Sequence, residues 1–304
     1  MLTVTTTQLK TLLAVAETGS IVAASRRLFV TSAAVSSAMA ALAREVGVDL
    51  TQQAGRGLVL TPAGEVLAMY AATLLGSMDE ALLRAREACN SDAFVLRIGA
   101  VATVGEELLP RWLQGYLARR PSATVSLEVA NKTTLVELLD KHRVDMVISG
   151  RPRNNDPVRV IATRAHELAL IANERQAFQW FGPAQTPTSE QVGALTWLVR
   201  EPGSGTRASA EELIGELQIT PPTLTVGSNL AMKRLVELGL GIAVISTESV
   251  AQELRAGELV SLRVPPLPQE RTWCLGVRND ESPTNAILDF VNHLEASGEV
   301  KFTP

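Results

Sequence analysis

Sulfur is scarce in this 304-residue chain. Its two cysteines, Cys89 and Cys274, stand far apart, and no CxxC or other metal-ligand spacing occurs. That spacing argues against a disulfide framework and a zinc site, and both thiols are expected to be idle or buried. Histidine is as sparse, with His142, His166 and His293 scattered along the chain. No metal and no cofactor is expected. A catalytic reading needs a nucleophile beside a base, a carboxylate pair or a metal. His142 in "DKHRVD" is the nearest thing to a base, but it follows a predicted helix and is expected at the surface. The chain therefore does not read as an enzyme, and it has no catalytic residues to propose. Long apolar runs are also missing. Stretches such as "LGLGIAVI" fall far short of the ~20 residues a spanning helix needs. The N-terminus lacks a basic segment followed by an apolar stretch, so no signal peptide is read. These absences predict a cytoplasmic protein without membrane contact.

A positive balance is missing as well: the formal net charge is −4, so the chain as a whole is no polyelectrolyte for nucleic acid. The average hides an asymmetry. Residues 1–60 carry Lys10, Arg26, Arg27, Arg44 and Arg56 against Glu17, Glu45 and Asp49, so a mildly basic end precedes an acidic remainder. With 46% hydrophobic and 20% charged residues, the composition is that of an ordinary globular protein of two or three domains.

What is present is strong periodicity. In "TTTQLKTLLAVAETGS", Leu9, Leu12, Leu13 and Ala16 form one helical stripe that ends at Gly19. Ser20 caps a second predicted helix, and Thr31 or Ser32 a third that runs to about Glu45. Val35, Met39 and Leu42 form the apolar face of that third helix and leave Ser32, Ser36 and Ser37 outside. The spacing is that of a helix-turn-helix, yet Val30–Ala43 holds no Lys or Arg. "GRGLVLTPAG" reads as a hairpin, which adds a wing. A long helix then opens at Thr61 and Pro62. Along it Val66, Met69, Tyr70, Leu74, Met78, Leu82 and Leu83 recur at threes and fours. A helix this long between two domains is expected to pair with a copy of itself. From Phe94 onward strands alternate with helices, which predicts a parallel α/β sheet. A connecting strand near "VRVIATRA" precedes a second round of alternation from "ELALIA". Two similar halves joined by crossing segments predict a hinged, two-lobed receptor that holds a small ligand at the carboxyl ends of its strands.

These parts resemble, over nearly the whole length, the LysR-type transcriptional regulators. The motifs A-V-A-E-x-G-S, L-x-V-[ST]-x-x-A-V-S and G-R-G-x-x-L-T-x-A-G carry the resemblance in combination. It implies an α/β protein with an N-terminal winged helix-turn-helix at 1–60 and a linker dimerisation helix at 61–91. A periplasmic-binding-protein-like effector domain would follow at 92–304, with lobe I at about 92–163 and 268–304 and lobe II at about 164–267. The implied partners are double-stranded DNA, a small effector and further copies of the chain, as a homodimer through the linker helix or a homotetramer. Ala33 stands where the family usually has Pro, Ser37 where it has Arg, and Thr51 and Gln53 where it has Phe and Arg. Two cations expected near DNA are thus absent. Arg26, Arg27, Arg44 and the wing residue Arg56 are left to supply phosphate contacts, with the hydroxyls of Thr31, Ser32, Ser36 and Ser37. Weaker, less guanine-dependent readout is expected.

"VREPGSGTR", Val199–Arg207, leaves a predicted strand and enters a predicted helix. Gly203 and Gly205 let backbone approach a ligand, Ser204 and Thr206 offer hydroxyls, and a helix start offers free N–H groups. It lacks both G-x-G-x-x-G and the Walker lysine, so it is no nucleotide fingerprint. Taken alone it reads equally well as a tight capped turn. Thr103, Ser149, Gly150, Gly227 and Ser228 are predicted to face it from other strand ends. The loop is similar to that of LysR-type regulators of carbon fixation and sulfur assimilation, which implies a small anionic effector. No lysine stands at these positions, so backbone N–H groups, hydroxyls and helix dipoles are expected to meet the charge rather than an ion pair, with Arg151 and Arg207 the nearest cationic help. The rival readings are a transport-type solute receptor and a small-molecule binding protein with a degenerate DNA-binding head.

Overall fold

The structure, a computed structural model, describes residues 4–55, 57–89, 94–183 and 186–302, with backbone alone for Leu83 and 86–89. The chain divides into two compact units, residues 1–89 and 90–304.

In the first unit three helices pack about small residues. They are α1 (Thr6–Thr18), α2 (Ile21–Leu28) and α3 (Ser32–Val46). Each start is capped by a hydroxyl. Thr5 forms a capping box with Gln8, Ser20 accepts from the Ala23 amide, and Thr31 accepts from that of Ala34. Leu12, Ala24, Val35, Met39, Leu42 and Leu50 close the core. The wing is the hairpin β1 (Thr51–Ala54) with β2 (Gly57–Leu60). Helix α4 (Pro62–Cys89) follows. Thr61 ties its start to the hairpin, donating to the Asp49 carbonyl at 2.7 Å and accepting from the Gly64 amide at 3.1 Å. A Cβ at Gly64 would fall 2.0 Å from the Leu50 carbonyl oxygen, so only glycine allows this close seat. Val66, Met69, Tyr70, Leu74, Met78 and Leu82 are all exposed along α4, whereas Leu83 of the expected stripe lies outside the described side chains.

The second unit is built on a sheet whose strands lie side by side in the order β10 (Leu259–Leu262), β6 (Val158–Asn173), β11 (Gln269–Arg278), β5 (Met146–Gly150), β3 (Val95–Ala100) and β4 (Thr124–Val129). Strands β3 (Val95–Ala100), β4 (Thr124–Val129) and β5 (Met146–Gly150) are parallel. A π-helical turn (Val104–Leu108) leads into α5 (Leu109–Arg119), which connects β3 to β4, and α6 (Lys132–Asp140) connects β4 to β5. Strand β6 (Val158–Asn173) crosses to the second lobe, whose helices and strands alternate as α7 (Glu174–Phe181), α8 (Ser189–Gly193), β7 (Trp197–Arg200), α9 (Gly205–Glu216), β8 (Thr223–Val226), α10 (Asn229–Glu237), β9 (Ala243–Ser246), α11 (Ala251–Ala256) and β10 (Leu259–Leu262). Strand β11 (Gln269–Arg278) crosses back, and α12 (Asn285–Ala296) and β12 (Lys301–Phe302) end the described chain.

Two sequence expectations change here. The segments "VRVIATRA" and "ELALIA" are one strand of 16 residues, not two elements. The sheet is mixed, because β11 runs antiparallel to both β5 and β6. One lobe's core gathers Leu96, Ile98, Trp112, Tyr116, Ile161, Leu275 and Phe290. The other lobe buries both faces of its sheet, with Trp197, Val199 and Val244 on one side and Leu198, Ala243 and Ile245 on the other. Burial on both faces accounts for the continuous apolar runs of β7 and β9.

Candidate functional site

Helix α3 turns Val35, Met39 and Leu42 inward, as its period requires. Thr31, Ser36, Ser37 and Arg44 are exposed, but Ser32 is half-buried and shares a hydrogen bond with Ser25 at 3.2 Å between the oxygens. Thr31 spends its oxygen on the cap. Arg26 is exposed at the end of α2. Its neighbour Arg27 is paired with Glu17 at 2.5 Å on the surface. Arg26 and Arg44 carry no ion pair among the described residues, and Arg56 lies outside them.

In the second unit a cavity of about 870 Å³ opens where the two lobes meet. The ends of β3, β4, β5 and β7 all lead into it, in keeping with ligand sites of open α/β sheets. Thr103, Gly150, Ser204, Gly205 and Thr206 line it as expected. Ser149 does not: it is buried and donates to the Gly150 carbonyl. Gly227 and Ser228 are not in its wall either. Ser228 caps α10 by accepting from the Ala231 amide, and the next residue, Asn229, reaches the cavity instead.

Thr103 is more constrained than a waiting hydroxyl. It is buried, accepts from the Asn229 amide group at 3.0 Å, and lies 3.0 Å from the Ser249 oxygen. Both partners belong to the other lobe, so Thr103 is a bridge between lobes. Arg200 continues this network. Its Nη1 donates to Asn229, and its Nε and Nη2 grip Glu201 at 2.8 and 3.0 Å.

Helix α9 begins at the cavity with an opening that its own chain leaves unfilled. Ser204 is the N-cap but makes no capping bond, and first-turn amides have no intrahelical acceptor. Just before it, Gly203 adopts φ +88°, and a Cβ there would lie 3.3 Å from Thr133 Oγ1 and 3.4 Å from Asn131 Oδ1. The glycine thus lets the loop of one lobe approach the start of α6 in the other.

The expectation that charge would be met without a lysine is corrected. Lys132, Arg151, Arg153, Arg200, Arg207 and Arg271 all line the cavity against Glu211, Glu212 and Glu270. Arg207 is bonded to Glu211 at 2.7 Å and to the Arg200 carbonyl at 2.9 Å, and Arg271 is bonded to Glu212. Lys132 donates to the Arg151 carbonyl, and burial lowers its pKa. The side chains of Arg151 and Arg153 have no hydrogen-bond partner among the described residues. His166 stacks on Trp273 in the cavity wall, 3.8 Å between centroids and 5° from parallel. Burial, then the charges of Arg164 and Arg271, push its pKa down to about 4, so the ring is neutral near pH 7.

Two further expectations can be placed. Cys274 is a buried thiol whose pKa burial raises, whereas the Cys89 side chain lies outside the described residues. His142 is not a surface residue at a solvated helix end. It is buried, in a left-handed turn at φ +53°, with Nδ1 3.6 Å from Glu281 and its carbonyl accepting from Arg97. No helix among the described residues is long and apolar enough to cross a membrane.

Fold and site together define a regulator of transcription: a winged helix-turn-helix joined to a two-lobed effector domain. Residues 6–65 match the family of bacterial regulatory helix-turn-helix proteins of the LysR type, and residues 90–299 match the LysR substrate binding domain. The chain belongs to the LysR family of transcriptional regulators. It is 31% identical over 267 residues to the HTH-type transcriptional regulator CfxR of Cupriavidus necator, covering 88% of this chain and 83% of that one. Its fold is similar to that of CbnR complexed with its target DNA, with a TM-score of 0.70 and 24% identity over 96% of this chain and 99% of that one. It is also similar to the CcmR regulatory domain of Synechocystis PCC6803 in complex with 2-PG, with a TM-score of 0.60 and 24% identity over 67% of this chain and 96% of that one.

Proposed function

We propose that this regulator senses a small anionic metabolite in the cleft between its lobes and transmits the binding to double-stranded DNA. The carrying observation is the cleft's charge: six cationic side chains face three carboxylates beside an uncapped helix start. Thr206, Ser204 and the first amides of α9 would take the anion's oxygens. Lys132 and Arg151 would add charge from the facing lobe, and Thr103 and Asn229 would hold the lobes in register. The CcmR domain solved with 2-PG, a phosphorylated carboxylate, supports this class of ligand.

We assign residues 1–60 to DNA binding, 61–91 to dimerisation and 92–304 to effector binding, with lobe II at about 164–267. The exposed apolar stripe of α4 supports self-pairing as a homodimer, the unit from which a homotetramer would be built. Arg26, Arg44 and Arg56 are assigned to phosphates, and Ser36 and Ser37 to base edges. A role at DNA places the protein in the cytoplasm.

A thermal-shift series tests the effector class. Sulfate, inorganic phosphate and 2-phosphoglycolate are compared with sodium chloride at matched ionic strength. A ligand bound only by the folded form raises the transition in proportion to the logarithm of its concentration. A rise with one of these anions that exceeds the sodium chloride control and grows with the logarithm of its concentration, lost in Lys132→Ala with Thr206→Val, is expected. Shifts that only follow ionic strength would remove the proposal.

A further inference from the structure

One residue of the helix-turn-helix is costly to its own fold in two ways. Phe29 closes α2 in the left-handed conformation, φ 56° and ψ 41°. A positive φ is a genuine outlier for a bulky side chain. Other helix ends in this chain use Gly19, Gly47 or Gly257 in that conformation, or the polar His142 and Gln218. Phe29 is also 94% exposed, the most exposed large hydrophobic side chain among the described residues. The ring therefore packs on almost nothing in its own chain, at a position where glycine or asparagine would close the helix with less strain. Observed strain that the fold does not need points to function.

The surroundings name the partner. Phe29 stands two residues before Thr31, the cap of α3, and beside the exposed Arg26, which carries no ion pair among the described residues. It is thus continuous with the face that a helix-turn-helix presents to the major groove. The exposed surface of α3's first turns is Ala33, Ala34, Ser36 and Ser37, side chains too short to reach far. We infer that Phe29 is a DNA-contacting residue whose ring packs on apolar surface of the duplex. That surface is either a deoxyribose at the groove edge or a thymine methyl, which phenylalanine can meet. The inference rests on the assignment of α3 to DNA.

The test uses the full chain and a duplex recovered from a random 40-base-pair pool by selection with the wild-type protein. Affinities of Phe29→Ala, Phe29→Asn and Arg44→Ala are measured by anisotropy across a potassium chloride series, with thermal unfolding in parallel. Both Phe29 variants should bind roughly tenfold more weakly at every salt concentration, a loss typical of an aromatic anchor. Their salt slope should stay at the wild-type value, because a neutral ring releases no counterion, while Arg44→Ala should flatten it by about 0.9. Phe29→Asn should unfold no earlier than wild type, since it relieves the left-handed strain. A uracil-for-thymine duplex separates the two surfaces: equal loss by wild type and no further loss by Phe29→Ala identifies the methyl, and no change identifies the sugar. Wild-type affinity in both Phe29 variants, with Arg44→Ala weakened, would overturn the inference and leave the α3 assignment standing. A lowered unfolding temperature that accounts for the lost binding would also overturn it. If the wild type selects no duplex at all, the α3 assignment falls and the inference with it.

Discussion

His166 is neutral because its ring is buried against Trp273 between two arginines. Its pKa falls from 6.5 to about 4 on folding. Between those values the unfolded chain binds more protons than the folded one, so this residue's contribution to stability is present above pH 6.5 and is lost as pH falls towards 4. His166→Phe keeps the stack and removes the proton. Its stability should vary less with pH across that window than the wild type's, as read by denaturant titration at each pH. Thr103 carries a second residue-scale consequence. Valine there would leave Asn229 and Ser249 without their shared partner in a buried place. A cost of about 1–3 kcal/mol is expected, measurable as a shift in urea midpoint. The residue types in the cleft were only partly legible in the sequence, and parity explains one miss. Side chains alternate across a strand, so Gly150 at the end of β5 faces the cavity while Ser149, one residue earlier, does not. The same one-residue error separates Ser228 from Asn229.

At the scale of elements, helices with a full apolar period could be read directly, because α3, α5 and α12 each bury one face of their own sequence. Strand β6 could not. Its first half mixes buried with part-exposed residues, with Ile161 and Ala162 both buried, whereas Leu168–Ala172 is buried continuously, and the polar Arg164, His166 and Glu167 between them look like a turn. They are instead the stretch where one strand passes from lobe to lobe. Some of the cleft's cations were hidden for a related reason. Lys132 and Arg271 come from a helix start and a crossing strand, and only the fold brings them to the strand ends beside which Arg151 and Arg207 were expected. Helix α4 yields the sharpest prediction at this scale. Six large apolar side chains are exposed among its described residues. Leu74→Glu with Met78→Glu places charges in the proposed seam, which should weaken self-association by at least about a hundredfold. Light scattering should then report monomers, with helical circular dichroism unchanged. A variant that remains dimeric would move the principal contact elsewhere.

For the whole molecule, an effector can bias DNA binding only by as much as its affinity differs between two lobe arrangements. Gly203 bears on that difference. Its positive φ and the nearby Asn131 and Thr133 leave little room for a side chain where the lobes approach. Gly203→Ala should resist the close approach and weaken anion binding, seen as a smaller thermal shift at each anion concentration. The central claim is that an anion in the cleft controls DNA affinity. The most direct measurement is anisotropy on a selected duplex during titration with 2-phosphoglycolate at constant ionic strength. The account predicts a saturable change whose midpoint matches the dissociation constant extracted from the thermal-shift series, absent in Lys132→Ala with Thr206→Val although basal DNA binding persists. A response that survives in that variant at the same midpoint, or one that never saturates, would contradict it.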